Sequence, residues 1–132
     1  MKISKRAIVI SSIVILVAGI AVLANYLWQV NEYRSKVAAM QFSNIDITSI
    51  PDGAYTGASD VGFIAAAVEV TVMDGVITSI DLLSHKNGRG IPAERIVIEI
   101  LEKQTTDVDA ISGATNSSRV IRKAIENALL SE

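Results

Sequence analysis

The sequence has no cysteine. That excludes disulfides, thiolate metal centres and a cysteine nucleophile. It has one histidine, His85, so the usual histidine metal sets are excluded as well. No nucleophile, base and orienting partner fall together as a set. Basic residues are not gathered into a stripe. Beyond the first six residues, nine Lys and Arg stand against fourteen acids, a balance of about −5, which argues against nucleic acid as a partner. There is no internal repeat, and 132 residues is the length of one domain.

What the chain does have is apolar surface. Hydrophobic residues make up 50% and mean hydropathy is +0.41. The excess lies at the N-terminus, where Ala7 to Asn31 carries no charged side chain. That stretch is long enough to cross a hydrocarbon layer about 30 Å thick. Tyr26 and Trp28 sit near its end, where aromatic rings favour the membrane boundary. Two readings compete, a retained anchor and a cleaved signal peptide with Val22-Leu23-Ala24 as the small-residue site. The apolar run is longer than a usual signal core, which favours the anchor. Lys2, Lys5 and Arg6 precede it, so the positive-inside tendency places the N-terminus in the cytoplasm and the rest outside. The expected organisation is a basic cytoplasmic flank at 1–6, a transmembrane helix at 7–29, a stalk and linker at 30–50, and a folded domain at 51–132. Val30, Tyr33, Val37 and Met40 follow at helical spacing and read as a stalk.

Pro51-Asp52-Gly53 is turn chemistry. A first strand begins at Tyr55-Thr56-Gly57. In a second, from about Phe63 to Met73, Val68, Val70 and Val72 alternate with Glu69 and Thr71, the period of a half-buried strand. Asp74-Gly75 is a hairpin turn, and Val76 to Ser84 is the partner strand. A Gly-rich link runs from His85 to Gly90. Pro92 opens a helix that reaches about Lys103 with Ile96, Val97, Ile100 and Leu101 as its apolar stripe. The last helix shows Val120, Ile121, Ala124, Ile125, Ala128 and Leu129 on one face. The expected fold is α+β, a small antiparallel sheet packed by two helices and preceded by one N-terminal transmembrane helix.

The most specific local feature is Asp109-Ala110-Ile111-Ser112-Gly113-Ala114-Thr115, entering the last helix through Asn116 and Ser117. A helix N-terminus leaves backbone N–H groups without partners and carries partial positive charge. Gly113 and Ala114 have little bulk, so a phosphate can approach the backbone. The competing reading is a plain N-cap, the commonest use of Ser, Thr and Asn at that place. In the link, His85 reads either as a ligand contact or as a strand-end residue with a solvated ring. Gly88 and Gly90 permit close backbone approach or merely make a turn. Arg89 is a phosphate partner or a solvated charge. Tyr55 is a stacking ring or a core residue.

The Asp109-to-Thr115 segment resembles the flavinylation motif of the FMN-binding domain family, which includes the flavin-bearing G and C subunits of the Rnf and sodium-pumping NADH:quinone reductase complexes. Asp109, Ser112, Gly113, Ala114 and Thr115 fill every fixed place of that pattern. The resemblance extends to Asp52-Gly53-Ala54-Tyr55-Thr56-Gly57, to Asp74-Gly75 and to the link at 85–90, so it spans about residues 52–130. Lys86, Asn87 and Gly88 stand where better-studied members carry an acidic residue and a proline. The resemblance implies covalent FMN, joined by a phosphodiester bond to Thr115. A separate Mg-dependent flavin transferase would make that bond from FAD. It further implies a membrane or extracytoplasmic redox partner and electron relay, with the chemistry held by the cofactor. A non-redox module for FMN or another phosphorylated ligand is the alternative. A structural anchor, in which Ser112 to Thr115 only caps a helix, is the third reading.

Overall fold

A computed structural model describes residues 4–131; Lys2 of the basic flank lies outside that range. Helix α1 spans Lys5–Ala38, with the Ser4 hydroxyl accepting from the Ala7 N–H. At 1.5 Å per residue its 34 residues reach about 51 Å, well beyond a hydrocarbon layer. Most of its apolar stretch is exposed, with Ile15 and Val22 each about 70% exposed. It is the one helix among the described residues long and apolar enough to cross a membrane. The helix continues unbroken through Val22-Leu23-Ala24.

Three strands follow, β1 (Gly53–Asp60), β2 (Ala65–Met73) and β3 (Val76–Lys86). They form an antiparallel meander in chain order. Each is explained locally. Asp74 and Gly75 both hold positive φ, 52° and 71°, the geometry of the tight hairpin their sequence called for. The Asp74 N–H also donates to the Asp52 carboxylate at 2.7 Å, which ties the start of β1 to that hairpin. Between β1 and β2 the chain turns at Gly62, where φ is 99°, and β2 therefore starts at Ala65 rather than at Phe63. β3 extends two residues further than expected, because its pairing with β2 runs on through Lys86 opposite Ala65.

Alternation decides the faces of the sheet. Ala66, Val68, Val70 and Val72 of β2 are buried on one side, and the helices cover that side. Helix α2 (Ile96–Lys103) is preceded by a short 3-10 turn, Ile91–Arg95, with Pro92 at its start. The turn and helix together bury Ala93, Ile96 and Ile100. The Gln104 side chain accepts from the Ile77 N–H and donates to the Ile77 and Leu101 carbonyls, which pins the end of α2 to β3. Helix α3 (Thr115–Leu129) lays Val120, Ile121, Ala124, Ile125 and Ala128 on β1 and β2. It sits so close that a Cβ on Gly57 would overlap the backbone of Ala124 and Ala128.

The end of α1 and the segment after it are packed against this domain. Val37 is 8% and Ile47 5% exposed, and both join the core. Arg119 donates to the carbonyls of Val37 and Met40, so its cation meets the negative end of α1. Glu126 is fully buried and contacts Arg122 and Lys123 while accepting from the Ser43 N–H. Phe42 lies under the guanidinium groups of Arg119 and Arg122. These contacts fasten the lower end of α1 to α3, where Thr115 begins the helix.

Candidate functional site

The site is built by the first turn of α3. Ile111 to Ala114 make a tight turn, with Gly113 at φ 79° and the Ala114 N–H donating to the Ile111 carbonyl. Ser118 holds the turn from below. Its hydroxyl accepts from the Ile111 N–H at 2.9 Å and donates to the Ala114 carbonyl at 2.8 Å. The helix N-cap is therefore Ala114, and no side chain caps the end. This overturns the reading in which Ser112 to Thr115 serve as a cap. The first-turn N–H groups of Thr115, Asn116 and Ser117 have no intrahelical acceptor, and they carry the positive end of the helix dipole.

Among the hydroxyls of this region, exposure and position separate Thr115 from its neighbours. Ser117 and Ser118 are 3% and 0% exposed. Ser112 is exposed but lines none of the depressions around the helix end. Thr115 is exposed and forms a wall of three of them. One of them, a cleft of about 380 Å³, gathers Gly88, Arg89 and Gly90 from the link, Gly113 to Ser117 from the helix end, and Ile64 from the turn before β2. That volume is in the range of small-molecule sites, about 300–1,000 Å³. Gly90 packs on Ser117 so tightly that any Cβ would collide with its hydroxyl. Gly88 and Gly113 instead face open space, so two bare backbone segments confront each other across the cleft.

Asp109 lies on the other side of Thr115. It lines a narrower depression of about 210 Å³ with Phe42, Arg119 and Arg122. Asn116, on the wall of the cleft, donates to the Tyr33 hydroxyl at 2.7 Å, which joins the start of α3 to α1. His85 does not line the cleft. Its side chain is 2% exposed, so the solvated-ring reading fails. Nδ1 donates to the Glu94 carboxylate at 2.9 Å, and this contact assigns the tautomer. Nε2 is then buried without a partner. Asn87 reaches the His85 carbonyl and accepts from the Gly90 N–H, so His85 sits behind the link that carries Gly88 and Gly90. Tyr55 is remote from Thr115, and its hydroxyl donates to the Pro51 carbonyl. Among the described residues no cluster of His, Asp and Glu is suited to a metal ion.

The model of the FMN-binding domain matches residues 62–130, from the turn before β2 to the end of α3. The chain belongs to the FMN-binding domain family. A second comparison agrees. The NADH:acrylate oxidoreductase of Vibrio harveyi is 33% identical over an alignment of 114 residues, and the match covers 78% of this chain. The chain spans 11% of that protein's length. Membership implies flavin binding and a redox role for this FMN-binding domain. The geometry fits the cofactor. An uncapped helix end suits its phosphate, and the open faces of Gly88 and Gly113 leave room beside it.

Residues that sequence reasoning passed over also reach this region. Arg119 is one turn beyond Thr115 on the same face of α3, a spacing of four that was legible in principle. Tyr33 was read only as part of a stalk. Phe63 and Ile64 sit in a turn, with no periodicity to mark them.

Proposed function

We propose that this FMN-binding domain is a membrane-anchored flavoprotein module, held outside the cytoplasm, that carries FMN covalently on Thr115 and relays electrons between membrane redox partners. The observation that carries the reading is the state of Thr115. It is an exposed hydroxyl with no hydrogen-bond partner, at an uncapped helix end, on the wall of a ligand-sized cleft. Attachment replaces AMP. The Thr115 oxygen bonds to the FMN phosphorus, the bond from that phosphorus to AMP in FAD breaks, and the hydroxyl proton is released. A flavin transferase using FAD and Mg is the partner for this step. Asp109 lies on the approach to Thr115. Ser112, Gly113 and Ala114 shape the turn, and the N–H groups of Asn116 and Ser117 face the phosphate. Gly88, Arg89 and Gly90 close the cleft from the other side, and His85 supports that link from behind.

Bound FMN supplies the capacity to take and give one or two electrons. The chain's own groups bind and orient it. The name of the Vibrio harveyi relative describes electron transfer from NADH to acrylate. The match takes in only 11% of that protein, so flavin-borne electron transfer, which the family match supports, comes over to this chain and acrylate chemistry does not. For topology we take 1–6 as the cytoplasmic flank, 7–29 as the span, 30–50 as the stalk and linker, and 51–132 as the domain. The apolar run, longer than a usual signal core, is the ground for retention of the anchor over cleavage near Ala24.

The test is flavin fluorescence in a denaturing gel, followed by voltammetry of the purified protein. Fluorescent protein with a reversible reduction wave is expected. Protein that fluoresces but shows no wave would favour the non-redox module. Protein co-produced with a flavin transferase that lacks fluorescence would reject covalent attachment.

A further inference from the structure

A second groove, about 490 Å³, opens between α1 and the turn before β2. It is continuous with the cleft at Thr115, because Ile64, Gly88 and Arg89 line both. Its character is different. Tyr26, Tyr33 and Phe63 gather there, with ring centroids of Phe63 at 6.4 Å from Tyr26 and 5.5 Å from Tyr33. Arg34, Lys86 and Arg89 stand on its rim. Phe63 is 38% and Tyr26 55% exposed. Exposed rings pay for their exposure unless something flat covers them.

Resting on the attachment to Thr115, we infer that the isoalloxazine ring of FMN lies in this groove, against Tyr33 and Phe63, so that the juxtamembrane part of α1 is one wall of the flavin site. Three arguments select it. The phosphate is fixed at Thr115, so the ring must enter a depression that opens from that cleft. Of the neighbouring depressions, the one with Asp109 is small, about 210 Å³, and its one ring, Phe42, is already covered by Arg119 and Arg122. The one between Arg34, Val37 and Arg119 has no aromatic lining. The groove at Phe63 alone offers π faces beside the ring, together with cations for the carbonyl-bearing edge of a reduced flavin. The bond from Asn116 to the Tyr33 hydroxyl locks the groove wall to the residue next to the attachment point. Tyr26 and Tyr33 precede the residues that match the family, so this wall belongs to the chain's own N-terminal helix. The consequence is positional. The ring would sit where α1 leaves the bilayer, within reach of membrane-bound donors and acceptors.

The test uses the full chain in lipid nanodiscs, produced with a flavin transferase. Intact mass measures loading, and flavin emission and visible circular dichroism measure the ring's surroundings. Tyrosine is an electron-rich quencher of flavin emission. Tyr33→Leu should keep loading and raise emission severalfold, with loss of the induced dichroism. Phe63→Trp, which keeps an aromatic ring in place, should lower emission, and it serves where Tyr33→Leu fails to fold. Tyr55→Leu, remote from the groove, should change neither. Loaded protein whose emission is unmoved by both groove variants would overturn the placement while leaving attachment intact. Wild-type protein without flavin mass would reject the attachment, and the placement with it.

Discussion

Replacing Thr115 by alanine separates a chemical role from a structural one. A capping threonine would cost about 0.5–2 kcal/mol when removed. Here the side chain caps nothing, makes no hydrogen bond and is exposed, and alanine is the better helix former. The change in stability should therefore stay within about 0.5 kcal/mol. For a domain of this size that is a shift of less than about 4 °C in Tm. Flavin, by contrast, should be lost completely, because no nearby hydroxyl is both exposed and on the cleft. Ser117 and Ser118 are buried, and Ser112 faces elsewhere. Thr115→Ser should retain part of the modification, since the nucleophilic oxygen remains. The assay is intact mass together with a thermal melt, on protein co-produced with the transferase. Flavin persisting in Thr115→Ala, mapped to Ser112, Ser117 or Ser118, would refute the assignment. A melt lowered by about 10 °C would refute the geometric argument, because it would mean that the side chain bears on the fold.

Four further outcomes follow from other contacts. Gly57→Ala forces a Cβ into the backbone of α3; overpacking against two unyielding segments should cost about 3 kcal/mol and lower Tm by more than about 10 °C, and an unchanged melt would contradict the close packing of α3 on β1. Gly90→Ala should displace the link from Ser117 and reduce the flavin-loaded fraction by mass with a smaller effect on Tm; full loading would remove Gly90 from the site. Glu126→Ala leaves Arg122 and Lys123 without their buried partner and should cost about 3 kcal/mol or more, read by denaturant midpoint. Protease added to intact cells should digest the domain and spare the N-terminal segment; protection until the membrane is opened would reverse the orientation.

The order of strands and helices was legible in the sequence because its signals are local. Alternation of Val68, Val70 and Val72 set the buried face of β2, and Asp74-Gly75 set the hairpin. Six apolar residues at helical spacing set the buried face of α3. The Asp109-to-Thr115 motif marked the helix end because its spacing is contained in seven consecutive residues. Local pattern did not say what Thr115 does there, since a capping threonine and a free one read alike. The competition was decided by Ala114 taking the N-cap and by Ser118, buried one turn into the helix, holding the turn from below. Nor did pattern bury His85. That required the 3-10 turn at Ile91–Arg95 to bring Glu94, nine residues on, against its ring. The stalk changed most. Val30, Tyr33 and Val37 read as the tail of a long helix, and their spacing was right. Only the packing of α1 against α3, through Arg119 on the last carbonyls of α1 and Asn116 on Tyr33, turned that tail into a wall beside the cleft. Those contacts join residues about 80 positions apart, and no periodicity within either helix records which face will meet the other.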